Sequence, residues 1–234
     1  MESKYKRVIL KISGEALAGD SGHGIDQGMT VKVAQDVKKL VEMGVEVGIV
    51  CGGGNFWRGR TSGDMNKATA DYMGMLATCI NALGLQEAFE YCGVESRVLT
   101  TVRIEPIAEQ YSRNRAEALL KRGIVVIFGG GTGAPFFTTD TAAALKAAEM
   151  QADVILFAKN IDAVYDSDPN VNPNAVRYTK ITHSDVLQKE LKVMDSTAAS
   201  LCRDNNIMIH VFGLDEPNGI VRACLGEEIG TLIY

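Results

Sequence analysis

No stretch of the 234-residue chain approaches the roughly 18 consecutive apolar residues that a membrane-spanning helix needs. The apolar run after MESKYKR is also too short for a signal-peptide core and no cleavage-site pattern follows, so a cytoplasmic protein is expected. Cysteine is sparse and unpatterned. Cys51, Cys79, Cys92, Cys202 and Cys224 are odd in number, widely spaced and without a C-x-x-C pair, which reads as buried reduced thiols rather than a disulfide framework. His23, His183 and His210 are equally scattered, which excludes a His/Cys zinc cluster. The net charge is −5, with acids and bases interspersed and no cationic stretch, and this argues against nucleic acid as the main partner. It leaves small anions open, because a few cations placed in a cleft dominate locally. Familiar phosphate motifs are missing too. There is no G-x-x-x-x-G-K-[ST], no G-x-G-x-x-G opening a helix after the first strand, and neither H-R-D nor D-F-G, which excludes P-loop, dinucleotide-binding and protein-kinase readings.

What the chain does have is an alternation of short β-branched runs and longer helical segments. Strands are expected at residues 7–12, 45–51, 96–102, 124–128, 154–157, 208–212 and 231–233. Helices are expected at 29–43, 64–83, 141–150 and 196–205, with another ending near Arg122 and Gly123, and with Thr139 or Asp140 capping the one at 141–150. Pro169, Pro173 and the Asn and Asp residues between them mark a surface loop. Continuous apolar strands alternating with helices predict an α/β fold, a three-layer α/β/α sandwich with a mainly parallel central sheet. A hydrophobic content of 46% in a chain of this length supplies its core.

Ligands of parallel α/β sheets gather outside the carboxyl ends of the strands, and three such ends here suit anions. The first is Lys11, Ile12, Ser13 and Gly14, where a lysine at the strand end precedes a turn that lets backbone N–H groups approach an oxyanion. An ordinary surface lysine is the alternative. The second is Gly52, Gly53, Gly54 and Asn55, followed by Arg58 and Arg60. Three glycines after a buried strand exceed what a turn needs, which suggests close backbone approach to a ligand, with arginine forks for phosphate. The third is the run from Gly129 to Thr139. Gly131, Thr132 and Gly133 offer donors, Pro135 stiffens the loop, Phe136 and Phe137 offer flat surface, and Thr138 and Thr139 lie at a helix N-terminus. One of the two phenylalanines is expected to be a core anchor. Asp140 and Asp195 each admit two readings, orientation of a lysine or of metal-bound water at a reaction centre, or helix capping. Asp71 on its helix is either a ligand or a solvated residue.

KISGEAL, GGGNFWRG, DYMGMLAT, GTGAPFFTTDTAA, AVYDSDP and VMDSTA occur in this order over essentially the whole chain. As a set they closely resemble bacterial uridylate kinases, within the amino acid kinase superfamily. The resemblance implies a single domain over 1–234, its N-terminal part mainly on the UMP side and its C-terminal part mainly on the ATP side. It implies transfer of the γ-phosphoryl group of MgATP to UMP in de novo pyrimidine nucleotide synthesis. Lys11, Arg58, Asp140 and Asp195 would be catalytic. Lys11, Ile12, Ser13, Gly14, Gly54, Arg58, Asn160, Tyr165 and Asp168 would bind ATP. Gly53, Asp71, Thr132, Gly133, Ala134, Pro135, Phe136, Phe137, Thr138 and Thr139 would bind UMP. Gly19, Asp20, Ser21, Gly22, His23 and Gly24 would form a loop linked to GTP activation, with a flexible surface loop as the alternative. Such enzymes are Mg²⁺-dependent homohexamers, activated by GTP and commonly inhibited by UTP. The family usually has Asn where this chain has Ala134, and often Gly where it has Ala163. The rival readings are a carboxylate kinase of the same superfamily and a non-catalytic nucleotide- or oxyanion-binding protein.

Overall fold

The strongly apolar runs become the inner strands of one sheet because both of their faces can be covered. In the computed structural model, which describes residues 3–58 and 64–234, these are β1 (Arg7–Ile12), β2 (Glu46–Cys51), β3 (Ser96–Thr100), β5 (Val125–Gly129), β6 (Val154–Lys159) and β10 (Met208–Gly213). The short strands β4 (Glu109–Gln110), β9 (Lys180–Ile181) and β11 (Thr231–Ile233) complete a nine-stranded sheet in the order β4-β3-β5-β2-β1-β6-β10-β11-β9. Every neighbouring pair is parallel except β10 with β11. A separate antiparallel pair joins β7 (Val164–Tyr165) to β8 (Arg177–Tyr178). The expected α/β fold with a mainly parallel sheet between helical layers is the fold observed.

Side chains of a strand point alternately to opposite faces, and here they supply two cores. Val8, Leu10 and Ile12 of β1 join residues of α2 (Gln27–Glu42), α3 (Lys67–Tyr91) and α8 (Gly219–Leu225). Ile9 joins α4 (Arg113–Leu120), α5 (Thr139–Met150) and α7 (Ser196–Asp204) on the other face. Lys11, two residues beyond Ile9, therefore points to the α5 side. From β1 the chain moves first to β2 on one side and later to β6 on the other. The crevice at this reversal of strand order is where open α/β sheets bind ligands.

Three expectations about helices need correction. The helix expected at 64–83 starts later and runs to Tyr91, capped by the Asn66 side chain, which accepts from Ala68 and Thr69 N–H. Gly84 does not stop it, because that glycine lets Ile25 approach within 2.6 Å of where a Cβ would lie. The cap of α5 is Thr138, whose hydroxyl accepts from Asp140 and Thr141 N–H, and not Thr139 or Asp140. Three further helices, α1 (Gly14–Leu17), α6 (His183–Gln188) and α8, were not expected, being too short for a periodic signal. Among the described residues no helix is long and apolar enough to cross a membrane. All five cysteines are free, and burial pushes the thiols of Cys51 and Cys202 up to about 12, which keeps them protonated and inert.

One glycine holds the β10–β11 corner together. Gly230 has φ of +60°, and a Cβ there would sit 1.9 Å from the Val211 carbonyl oxygen. The Gly230→Ala variant should lose about 3 kcal/mol or more of stability, since backbone strain and a backbone clash coincide. Urea unfolding measures it, and an unchanged midpoint would mean that the corner relaxes freely.

Candidate active site

The centre of the crevice is an ion pair. Lys11 Nζ lies 2.8 Å from Asp140 Oδ1, and the lysine is only 5% exposed. Because Thr138 performs the helix cap, the Asp140 carboxylate in the first turn of α5 is left to meet the lysine. A second lysine, absent from the sequence-based expectations, stands beside them. Lys159 ends β6 on the same sheet face as Phe157, which pairs in register with Lys11. Both ammonium groups flank that ring, Lys11 at 4.6 Å and Lys159 at 4.9 Å from its centroid. Burial depresses the Lys159 pKa, Asp140 opposes that shift, and Lys11 adds to it. Lys11 alone pairs with Asp140, while half-buried Lys159 donates to the Val193 carbonyl and senses that carboxylate only through space, so two ammonium groups stand near one carboxylate. This leaves a surplus positive charge that a substrate phosphate can neutralise. Its signal in the sequence was the repeated pattern of an apolar strand ending in lysine, VILK and VILFAK.

Asp195 sits differently. Its carboxylate caps α7 by accepting from Ala198 N–H at 2.9 Å, and accepts from the hydroxyls of Thr138 and Thr141. It ties the N-termini of α7 and α5 together and forms no ion pair with Lys11 or Lys159 among the described residues.

The glycine loop after β2 wraps over the turn after β1. Ser13 caps the short α1 (Gly14–Leu17) by accepting from Ala16 N–H. A Cβ on Gly14 would fall 2.8 Å from both Gly52 O and Gly54 N. Gly53 presses on α3, where a Cβ on it would fall 2.8 Å from both Ala77 Cβ and Gly74 O. The first reason for glycine here is therefore close approach of the loop to its own protein, not to a ligand alone. Arg58 pairs with Glu15 at 2.5 Å, and Arg60 lies outside the described residues.

A cavity of about 120 Å³ opens between this loop and the segment before α5, lined by Gly53, Trp57, Asp71, Thr78, Thr132 and Phe137 among others. Ala134, Thr138 and Thr139 also border it. Asp71 is not a merely solvated helix residue: its Oδ2 accepts from Phe136 N–H at 2.8 Å and lies 3.6 Å from Lys67. Phe136 is held at φ of 71°, strained for an aromatic residue. Phe136 and Phe137 are 65% and 49% exposed, so neither is the expected core anchor. Gly133 also takes positive φ, and a Cβ there would lie 3.1 Å from Thr101 Cβ. Pro135 lies between these two positive-φ positions. Ala134 contributes only backbone, its N–H donating to Thr132 Oγ1. Trp57, Met75 and Thr78 were missed, and the Trp57 indole N–H is buried without a partner.

A larger cavity of about 480 Å³ lies between the β7–β8 loop and the α6–α7 connection. Tyr165 and Asp168 line it as expected, with Leu191 and Val193 as unexpected apolar wall, whereas exposed Asn160 does not line it. Gly19, Asp20 and Ser21 form one helical turn, and Gly22, His23 and Gly24 return the chain. The loop is anchored rather than loose. Ser21 Oγ donates to Ala18 O or His23 O, and Gly24 N–H donates to Asn55 O.

Residues 6–213 match the family model described as "Amino acid kinase family". A UMP kinase from Bacillus anthracis superposes with a TM-score of 0.94 at 42% identity, over 98% of this chain and 96% of that one. A UMP kinase from Ureaplasma parvum gives 0.92 at 40% identity, over 98% and 99%. A uridylate kinase from Archaeoglobus fulgidus gives 0.73 at 27% identity, over 97% and 99%. With a strand-end lysine paired to the first turn of α5, glycine loops crowding the same crevice, and this extent of similarity, the chain belongs to the amino acid kinase family.

Proposed function

We propose that the chain transfers the γ-phosphoryl group of ATP to UMP, giving ADP and UDP, as a step in making pyrimidine nucleotides. The observation that carries this reading is the buried Lys11–Asp140 ion pair with the Lys159 ammonium beside it, both lysines against the Phe157 ring. On one side Asp140 follows directly on Thr138 and Thr139 of the smaller cavity. On the other, Lys159 leads within two residues to Ile161 of the larger one. UMP as acceptor is supported by the two UMP kinases that this chain matches at 40% identity or more.

The chemistry needs no general base. The acceptor phosphate has a second pKa of roughly 6 and is already largely dianionic at neutral pH. The reaction instead needs alignment and neutralisation of charge on the transferring group. Lys11 and Lys159 supply fixed positive charge, and Asp140 holds Lys11 in place. The cradle of Gly53 and Gly54 offers backbone donors, with Arg58 beside it. Ile12, Ser13 and Gly14 bring the chain to the phosphates, and Tyr165 and Asp168 border the ATP base and ribose. Asp71 and Thr132 through Thr139 form the UMP side. An Mg²⁺ ion bound with ATP would supply further charge neutralisation at the phosphates, with Asp140 the nearest carboxylate to hold it. No cluster of three His, Cys, Asp or Glu side chains able to hold a metal occurs among the described residues.

The enzyme acts in the cytoplasm as a homohexamer, activated by GTP through residues Gly19 to Gly24 and inhibited by UTP. Self-association is supported by Tyr72, Leu76, Ile80 and Leu83, which form an exposed apolar stripe along α3.

A coupled ADP-release assay with UMP, CMP, aspartate and acetylglutamate tests the reading. The rate with UMP should exceed that with either carboxylate by about 100-fold or more, because a dianion site leaves a carboxylate underbound. UMP alone should also perturb the fluorescence of Trp57, the single tryptophan, which lines the acceptor cavity. ADP release with acetylglutamate and none with UMP would make the protein a carboxylate kinase. Binding without turnover would make it a nucleotide-binding protein.

A further inference from the structure

We infer that Asn55 and Asn81 form a positioning unit that aims the glycine cradle and joins it to the loop at Gly19 to Gly24. Resting on the phosphoryl-transfer reading above, the inference adds two residues that touch no reacting atom. Both are shut away from solvent, Asn55 at 1% and Asn81 at 0% exposure. Their amides pair reciprocally: Asn55 Nδ2 donates to Asn81 Oδ1 at 2.9 Å, and Asn81 Nδ2 donates to Asn55 Oδ1 at 2.7 Å. The remaining N–H of each reaches a backbone carbonyl, Gly24 O at 2.6 Å from Asn55 and Gly52 O at 2.7 Å from Asn81. Those two carbonyls fix the orientation of both amides, since a flip would set oxygen against oxygen. Every donor of the pair is used, so the network is stiff.

Its consequence for the site follows from peptide geometry. In a trans peptide the C=O and the next N–H point in opposite directions. Asn81 draws Gly52 O toward α3, which turns Gly53 N–H the other way. Gly53 borders the acceptor cavity, and among the described residues its N–H donates to no backbone carbonyl. Asn81 thus presents a backbone donor to a phosphate without touching it. The link to the other loop is double, because Gly24 N–H donates to Asn55 O while Asn55 Nδ2 donates to Gly24 O. Residue 24 cannot shift without moving residue 55, and the amide pair passes that shift to Gly52.

Hydrogen exchange and kinetics test this together. In the wild-type chain, UMP or MgATP should slow amide exchange at residues 52–54 and at 19–24 alike. Asn55→Ala should keep some protection at 52–54 but lose the ligand-linked protection at 19–24. Asn81→Ala should lower kcat/KM for UMP about 10-fold or more, by loss of one aimed donor, in a protein still folded by circular dichroism at the assay temperature. A purely packing role would lower the melting temperature and leave the exchange linkage intact. Ligand protection confined to 52–54 in the wild type overturns the inference whatever the variants do. So does wild-type kcat/KM in folded Asn81→Ala. Failure of the UMP reading itself is distinct, showing as wild-type protein that releases no ADP with UMP.

Discussion

Lys11→Ala lowers kcat for UMP phosphorylation by about 100- to 1,000-fold, the usual effect of removing one aimed positive group from a dry site where charge develops. The structure adds a second reason. The substitution leaves Asp140 without its partner at 2.8 Å, so its negative charge then faces the incoming phosphates. Lys159 remains, and its ammonium is held in check by burial rather than by an ion pair of its own. It keeps the loss from being total. UMP affinity changes much less, because the acceptor cavity is bordered by Trp57, Asp71 and the threonine loop and not by Lys11. Steady-state kinetics give kcat, and Trp57 fluorescence gives UMP binding independently. Near-normal turnover in the variant would remove Lys11 from the mechanism.

Asp71→Asn raises KM for UMP by roughly 10- to 100-fold, corresponding to about 1.5–3 kcal/mol for a hydrogen bond to a charged group. In this structure the carboxylate accepts from Phe136 N–H at 2.8 Å and so holds the strained residue of the acceptor loop. On the proposed reading, UMP ribose hydroxyls take the place of that loop contact at the cavity beside it, about 120 Å³ in volume. Both the bound and the transition state use the carboxylate, which is why KM moves more than kcat. Initial rates over a wide UMP range separate the two constants. If neither changes, Asp71 serves only the loop.

The sequence by itself determined the order of strands and helices and hence the parallel α/β fold. The strand predicted at 7–12, apolar at Val8, Ile9, Leu10 and Ile12, is β1 to the residue. It also determined where the chemistry gathers. A strand-end lysine and glycine runs after two strands point to one end of the sheet as the candidate site, and Asp71, Thr138 and Tyr165 line cavities in the structure. Helix ends were less legible: the helix expected to end at residue 83 runs on through Gly84, which packs closely against Ile25, to Tyr91.

What only the tertiary structure decided is which of two adjacent functions each polar residue performs. Asp140 and Asp195 are alike in sequence, each beside an alanine-rich helix, yet one meets Lys11 and the other caps α7. The physical reason is that Thr138 takes the capping position on α5, a choice set by where the loop enters the helix. Lys159 and Asn81 were hidden for the same kind of reason. A lysine ending a strand or an asparagine within a helix has no local mark of burial. Its value comes from neighbours brought in from distant segments: Phe157 between two ammonium groups, and Gly52 and Asn55 against α3.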